Sequence, residues 1–135
     1  MLNVDAYHYI SENWDDIKAD PTASTRQKNM NNLDCIDGSY GVDLSRNFGY
    51  EWSHDEIGSS VYPCNADYRG IEPFSEPETR GVRDLANSLD VSLYMSYETG
   101  LSQYLHPYSY WSNRDYDGPY SWFYSKIKSQ MRPEI

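Results

Sequence analysis

The chain opens on MLNVDAYHYI, where Val4, Tyr7 and Tyr9 are β-favouring residues set among polar ones, and this pattern predicts a first strand. Residues 11–40 carry few apolar anchors and are rich in Asn, Asp and Ser. They read as one long polar loop, and a loop of that length inside a domain marks functional surface or missing context. YGVDL (40–44) reads as a short strand, and EWSHDEIGSSVYPCNADYRGIEP (51–73) as a second loop. PFSEPETRGVRDLANSL (73–89) carries the strongest local signal. Ser75 and Glu78 have capping-box spacing, and Pro77 is tolerated in a first turn. Val82, Leu85, Ala86 and Leu89 then recur on one face of a helix. VSLYMSY (91–97) predicts a strand with Val91, Leu93, Met95 and Tyr97 on one side, and QYLHPY (103–108) a shorter one. GPYSWFYSKIKSQM (118–131) repeats apolar residues at 120, 123, 127 and 131 and ends in basic residues, as a helix does.

This order predicts an α/β fold, a mixed β-sheet with flanking helices, in a single domain over 1–135. Three or four strands with two helices would leave sheet edges bare. The pattern is therefore that of a half-domain, completed by another segment or by a protein partner that supplies the missing half of the sheet.

Composition changes the picture in two ways. Tyrosine supplies 14 of 135 residues, so core-forming rings come with polar tips. The net charge of −10 opposes binding to nucleic acid or to an anionic membrane surface. No apolar run approaches the length of a membrane span. MLNVDAYHYI lacks the basic start and long apolar core of a secretion signal. Cys35 and Cys64 are the two cysteines, and their spacing alone leaves them either reduced or bridged.

The segments LNVDAYHY, CIDGSYGVDLSRNFGYEW, CNADYRGIEPFSEPETRGVRDL and YLHPYSY follow one another in the chain. In that order they resemble the zinc metallocarboxypeptidases of the pancreatic carboxypeptidase type. That family carries an N-x-D-G-Y segment, then G-x-D-L-N-R-N-F, then Y-R-G-x-x-P-F-S-E-P-E-T at the head of a helix, and a later Y-P-Y-G-Y. The resemblance covers roughly residues 1 to 110 and implies a partial version of the carboxypeptidase fold. It also implies an activity, removal of C-terminal residues from peptides, with zinc as cofactor and the peptide C-terminus as partner.

The resemblance gives roles to particular residues. Arg46 falls on the arginine that grips the terminal carboxylate, a planar fork of donors suited to that group; read without the family, Arg46 pairs with Asp43 or Glu51. Ser45 stands where the family has asparagine as a second carboxylate donor. A second substrate-contacting arginine aligns near TRQKNM, with Arg26 as the candidate, although ungapped alignment places Gln27 there. Cys35 and Cys64 fall on a family disulfide, which would contribute roughly 3–4 kcal/mol by loop entropy. Such a pair favours a secretory or extracellular compartment.

Two departures bear on catalysis. The family holds zinc with two histidines and a glutamate, leaving a position for water. The third ligand, a histidine, aligns with Glu98. No H-x-x-E motif surrounds His8, His54 or His106, to which no role is assigned. The resemblance puts that motif before Met1 and the general-base glutamate beyond Ile135. The expectation is therefore a metallocarboxypeptidase-like segment lacking both ends of the domain, binding no zinc and cutting no peptide by itself. The alternative is a non-catalytic binding or structural subunit of a larger assembly.

Overall fold

A computed structural model describes residues 3–19, 27–33, 35, 40–96, 118 and 120–130. The chain divides into two units, residues 1–93 and 94–135. The first holds α1 (Val4–Glu12), α2 (Trp14–Ala19), a 3₁₀ turn (Leu44–Arg46) and α3 (Pro77–Ser88). The second holds α4 (Ser121–Gln130).

The strand expected at the start of the chain is a helix instead. Asn3 caps α1, its side-chain oxygen accepting the Ala6 N–H at 2.9 Å. The residues turned inward, Ala6, Ile10, Asn13 and Ile17, recur every three or four positions through α1 and α2, a helical period that the β-favouring tyrosines mask. Trp14–Ala19 likewise forms a helix inside what reads as a loop.

No strand ladder forms among the described residues. Two isolated bridges do, antiparallel between Lys28 and Asp43 and parallel between Ser60 and Tyr68. YGVDL thus contributes one bridged residue and a 3₁₀ turn, because Asp43 turns its carboxylate onto the Ser45 N–H and closes the chain on itself. Residues 91–96 form no strand either; an isolated extended run has no ladder partner to fix it. Tyr97 and QYLHPY lie outside the described residues.

Both expected helices are present. α3 differs at its start, where Glu76 takes the N-cap position without a side-chain capping bond and Pro77 opens the helix. Ser75 therefore makes no capping box; its hydroxyl donates to Glu76 Oε1 at 2.8 Å. Leu85 and Leu89, on the predicted apolar face, are exposed, and the residue that α3 buries is Thr79.

The core of the first unit is polar to an unusual degree. Ala6, Ile17, Val42, Leu44 and Tyr68 form its apolar part, while Lys28, Asn29, Asp43, Asn47, Ser60, Arg69, Glu76 and Thr79 are equally buried. Buried polar groups are tolerated only when hydrogen-bonded, and here nearly every one is. The Glu76 carboxylate takes the side-chain amides of Asn29 and Asn31 and the Ser75 hydroxyl, at 2.8–3.2 Å. The Lys28 ammonium donates to the carbonyls of Pro63 (2.7 Å) and Asn65 (3.0 Å). Those carbonyls flank Cys64, which forms the disulfide with Cys35.

Candidate functional site

The 3₁₀ turn carrying Ser45 and Arg46 sits on this polar core. Leu44 is buried and anchors it from below. Asp43 precedes it, with its N–H donating to the Tyr68 carbonyl at 2.8 Å. Asn47 follows and is completely buried. Its side-chain amide donates to the Arg69 and Glu72 carbonyls and the Ser75 hydroxyl, at 2.8–3.2 Å. Its oxygen accepts the Glu76 N–H at 3.2 Å and the Thr79 hydroxyl at 2.6 Å. One asparagine thereby welds the turn to the Tyr68–Arg69–Gly70 stretch and to the head of α3.

Gly70 fits there for a steric reason. Its φ is +89°, and a Cβ would run into Ser75 Oγ and Asn47 Nδ2. Arg69, next to it, is buried and donates to the Asp55 carbonyl (2.7 Å), the Ser59 hydroxyl (2.9 Å) and Glu56 Oε1 (2.6 Å). Trp52 stacks on its guanidinium at 5.3 Å and donates its own N–H to the Arg69 carbonyl. Tyr68 is buried too; burial first, and the Glu76 carboxylate second, raise its phenol above the ordinary tyrosine value.

On this support Ser45 and Arg46 face outward, the Arg46 side chain 48% exposed. Arg46 Nε stands 3.8 Å from Asp43 Oδ2, so the pairing with Asp43 forms as a loose ion pair and that with Glu51 does not. The Ser45 hydroxyl donates to Asp43 Oδ1 at 2.7 Å. Gln27 is exposed just before Lys28, the bridge partner of Asp43, and its carbonyl accepts from the Asn3 amide at 2.7 Å. Arg26 and Glu98 lie outside the described residues.

The donor set for a metal is thin here. Among the described residues no three His, Cys, Asp or Glu side chains stand close enough to share an ion. His54 Nδ1 lies 3.4 Å from Glu51 Oε2, a pair on a shallow depression with Trp52, Ser53 and Pro73. Two side chains are too few to make a zinc site. Nor is any helix among the described residues long and apolar enough to cross a membrane.

Asp43 and Asn47, which organise the turn, escape a reading of the sequence that looks for outward-facing donors. The signal for them is the alternation in VDLSRNF, where polar residues interrupt a run whose apolar members are all inward.

A family model described as zinc carboxypeptidase matches residues 1–132. Carboxypeptidase B2 of Rattus norvegicus is 36% identical over 113 residues, 82% of this chain and 24% of that protein. Carboxypeptidase B of Astacus astacus is 36% identical over 78 residues, 56% of this chain and 25% of that protein. A protein named inactive metallocarboxypeptidase ecm14, from Talaromyces stipitatus, is 36% identical over 76 residues, 52% of this chain and 12% of that protein. The chain thus spans about a quarter or less of the length of these curated relatives.

Proposed function

The chain belongs to the zinc carboxypeptidase family, and on that premise we propose that it is a carboxylate-binding segment of a carboxypeptidase-like protein, catalytically inactive in this form. The observation that carries the reading is Arg46. Its guanidinium projects from the turn, half exposed, with Nε 3.8 Å from Asp43 Oδ2. The terminal nitrogens can meet a planar carboxylate in the bidentate geometry that guanidinium favours. A free carboxylate is what distinguishes the end of a peptide from a bond within it, so this is the recognition that an exopeptidase or a binding relative requires. Arg26 is the proposed second contact, with Gln27 as the aligned alternative.

Inactivity rests on the residues. By the resemblance, Glu98 aligns with a zinc-ligating histidine. A second carboxylate on zinc would lower the ion's charge and weaken its acidification of water. The name of the Talaromyces relative marks inactivity as something a protein of this family can show.

The test compares a short peptide with a free C-terminal carboxylate and the same peptide as its amide, titrated by calorimetry into the full-length protein. The free acid binds more tightly, and Arg46→Ala abolishes the difference without unfolding the protein. If Arg46→Ala keeps the parent's preference for the free acid, the reading is refuted. Hydrolysis of the free acid with added zinc refutes the inactivity.

A non-catalytic subunit held in a larger assembly is the second reading. The exposed Leu85, Leu89, Val91 and Leu93, close together along the chain at the end of α3, favour it. Aggregation of the protein alone, relieved by its partner, supports that reading, and a stable monomer removes it.

A further inference from the structure

Residues 60–69 form a loop that closes on itself and leads into the support of the 3₁₀ turn. The Arg69 N–H donates to the Ser60 carbonyl and the Ser60 N–H to the Asp67 carbonyl, both at 3.0 Å. Inside the loop, the Ser60 hydroxyl oxygen accepts the Tyr62 N–H at 3.0 Å and the Asn65 amide at 2.9 Å. At its far end the Tyr68 carbonyl takes the Asp43 N–H at 2.8 Å. The outer part, residues 62–65, is exposed, and two ties hold it to the chain around residues 28–35. One is the disulfide from Cys64 to the half-buried Cys35. The other is the buried Lys28 ammonium, which donates to the carbonyls of Pro63 (2.7 Å) and Asn65 (3.0 Å) and lies 5.8 Å from the centre of the Tyr68 ring. Hydrogen bonds from a charged donor are roughly twice as strong as neutral ones, and no reductant breaks them.

We propose that Lys28 is a second tie on this loop, one that reduction cannot break, so that the loop and the turn it supports keep their shape when the Cys35–Cys64 disulfide is opened. Reduction adds two electrons and two protons and leaves a thiol at each cysteine. Cys64 is exposed, so a reductant reaches it. What is released is the covalent link alone, while the residues on both sides of Cys64 stay on the Lys28 ammonium. The two ties are interchangeable: either one by itself holds the loop, and it opens only when both are gone. The loop therefore needs no oxidising compartment to stay closed, although it carries a disulfide. A loop held by the covalent bond alone behaves otherwise, opening on reduction whatever residue stands at position 28.

The experiment follows amide hydrogen exchange of residues 62–68 in the full-length protein, parent and Lys28→Met, each oxidised and after reduction by a water-soluble phosphine. The phosphine supplies the two electrons and ends as its oxide, with the oxygen from water, and thiol labelling confirms that both cysteines are free. Methionine keeps much of the side chain's length without its charge or donors, and the carbonyls of the exposed Pro63 and Asn65 can turn to water. The Asn65 and Tyr68 N–H groups report opening, since their acceptors, the Tyr62 and Asn65 carbonyls, lie within the loop. Reduction of the parent changes their exchange less than about threefold, and so does Lys28→Met while oxidised. Reduction of Lys28→Met speeds it about tenfold or more. A reduced parent whose exchange rises about tenfold overturns the proposal, whatever the variant does. So does a reduced Lys28→Met that stays protected. An oxidised Lys28→Met that fails to fold overturns it as well, because the disulfide by itself should then suffice.

Discussion

Replacing Asn47 by alanine tests whether one side chain holds the first unit together. The substitution deletes five hydrogen bonds, but their partners do not suffer equally. The Arg69 carbonyl keeps the Trp52 N–H at 3.0 Å, and the Glu72 carbonyl keeps the Ser75 N–H at 3.2 Å. The Thr79 hydroxyl keeps the Glu76 carbonyl at 3.0 Å, and the Ser75 hydroxyl keeps Glu76 Oε1. The Glu76 N–H alone, among the described residues, loses the partner it had. An orphaned buried donor costs about 1–3 kcal/mol, and each satisfied bond lost costs roughly 0.5–1 kcal/mol. The sum, about 3–7 kcal/mol, is a large part of the roughly 5–15 kcal/mol that stabilises a typical domain. Thr79→Val removes only the bond to Asn47 Oδ1 and the weaker one to Glu76, and should cost about 1–2 kcal/mol. Urea unfolding of the full-length protein, followed by circular dichroism, measures both: a lower midpoint at unchanged slope is the expected result. If Asn47→Ala costs less than about 1 kcal/mol, the asparagine is not the weld described here.

Gly70→Ala should be as damaging as Asn47→Ala, because it places a methyl against both Asn47 and Ser75 at a positive φ; a thermal melt within a degree of the parent would contradict this. Tyr68→Phe should change the alkaline limb of stability. With its pKa raised in the folded state, Tyr68 contributes stability that is complete below the ordinary tyrosine pKa of about 10 and is lost as pH climbs through the higher folded value. The phenylalanine variant should therefore lose less stability than the parent as pH rises past about 10, and parallel curves from the two proteins would count against the assignment.

The parts legible in the sequence were those whose signals are local. α3 announces itself by its period and Pro77, and α4 by its apolar spacing. The order of the motifs leads to the family, and the pairing of Cys35 with Cys64 follows from the resemblance. The misreadings share a cause, which is that strand signals are statements about neighbours. Tyr7 and Tyr9 favour a strand only where another strand lies alongside, and without one the Asn3 cap and the spacing of Ala6, Ile10 and Ile17 prevail. At the turn, the sequence singled out the side chains that face outward, Ser45 and Arg46. It gave no hint that Asp43 holds the Ser45 hydroxyl or that Asn47 joins segments more than twenty residues apart, since both depend on which loops the folded chain brings together.

The Lys28 ammonium, lodged between the carbonyls on either side of Cys64, bears on how easily the two cysteines can meet. Cys35 and Cys64 are 29 residues apart, a long search for two thiols on a free chain. Once Lys28 clasps the Pro63–Asn65 loop, the tether still free between the thiols is the seven residues from 28 to 35. Closing the shorter loop is easier by about 1 kcal/mol, close to a tenfold gain in effective thiol concentration. The contact of one amine with two carbonyls thus favours the same closure as the disulfide: both tie the chain around Lys28 and Cys35 to the Pro63–Asn65 loop.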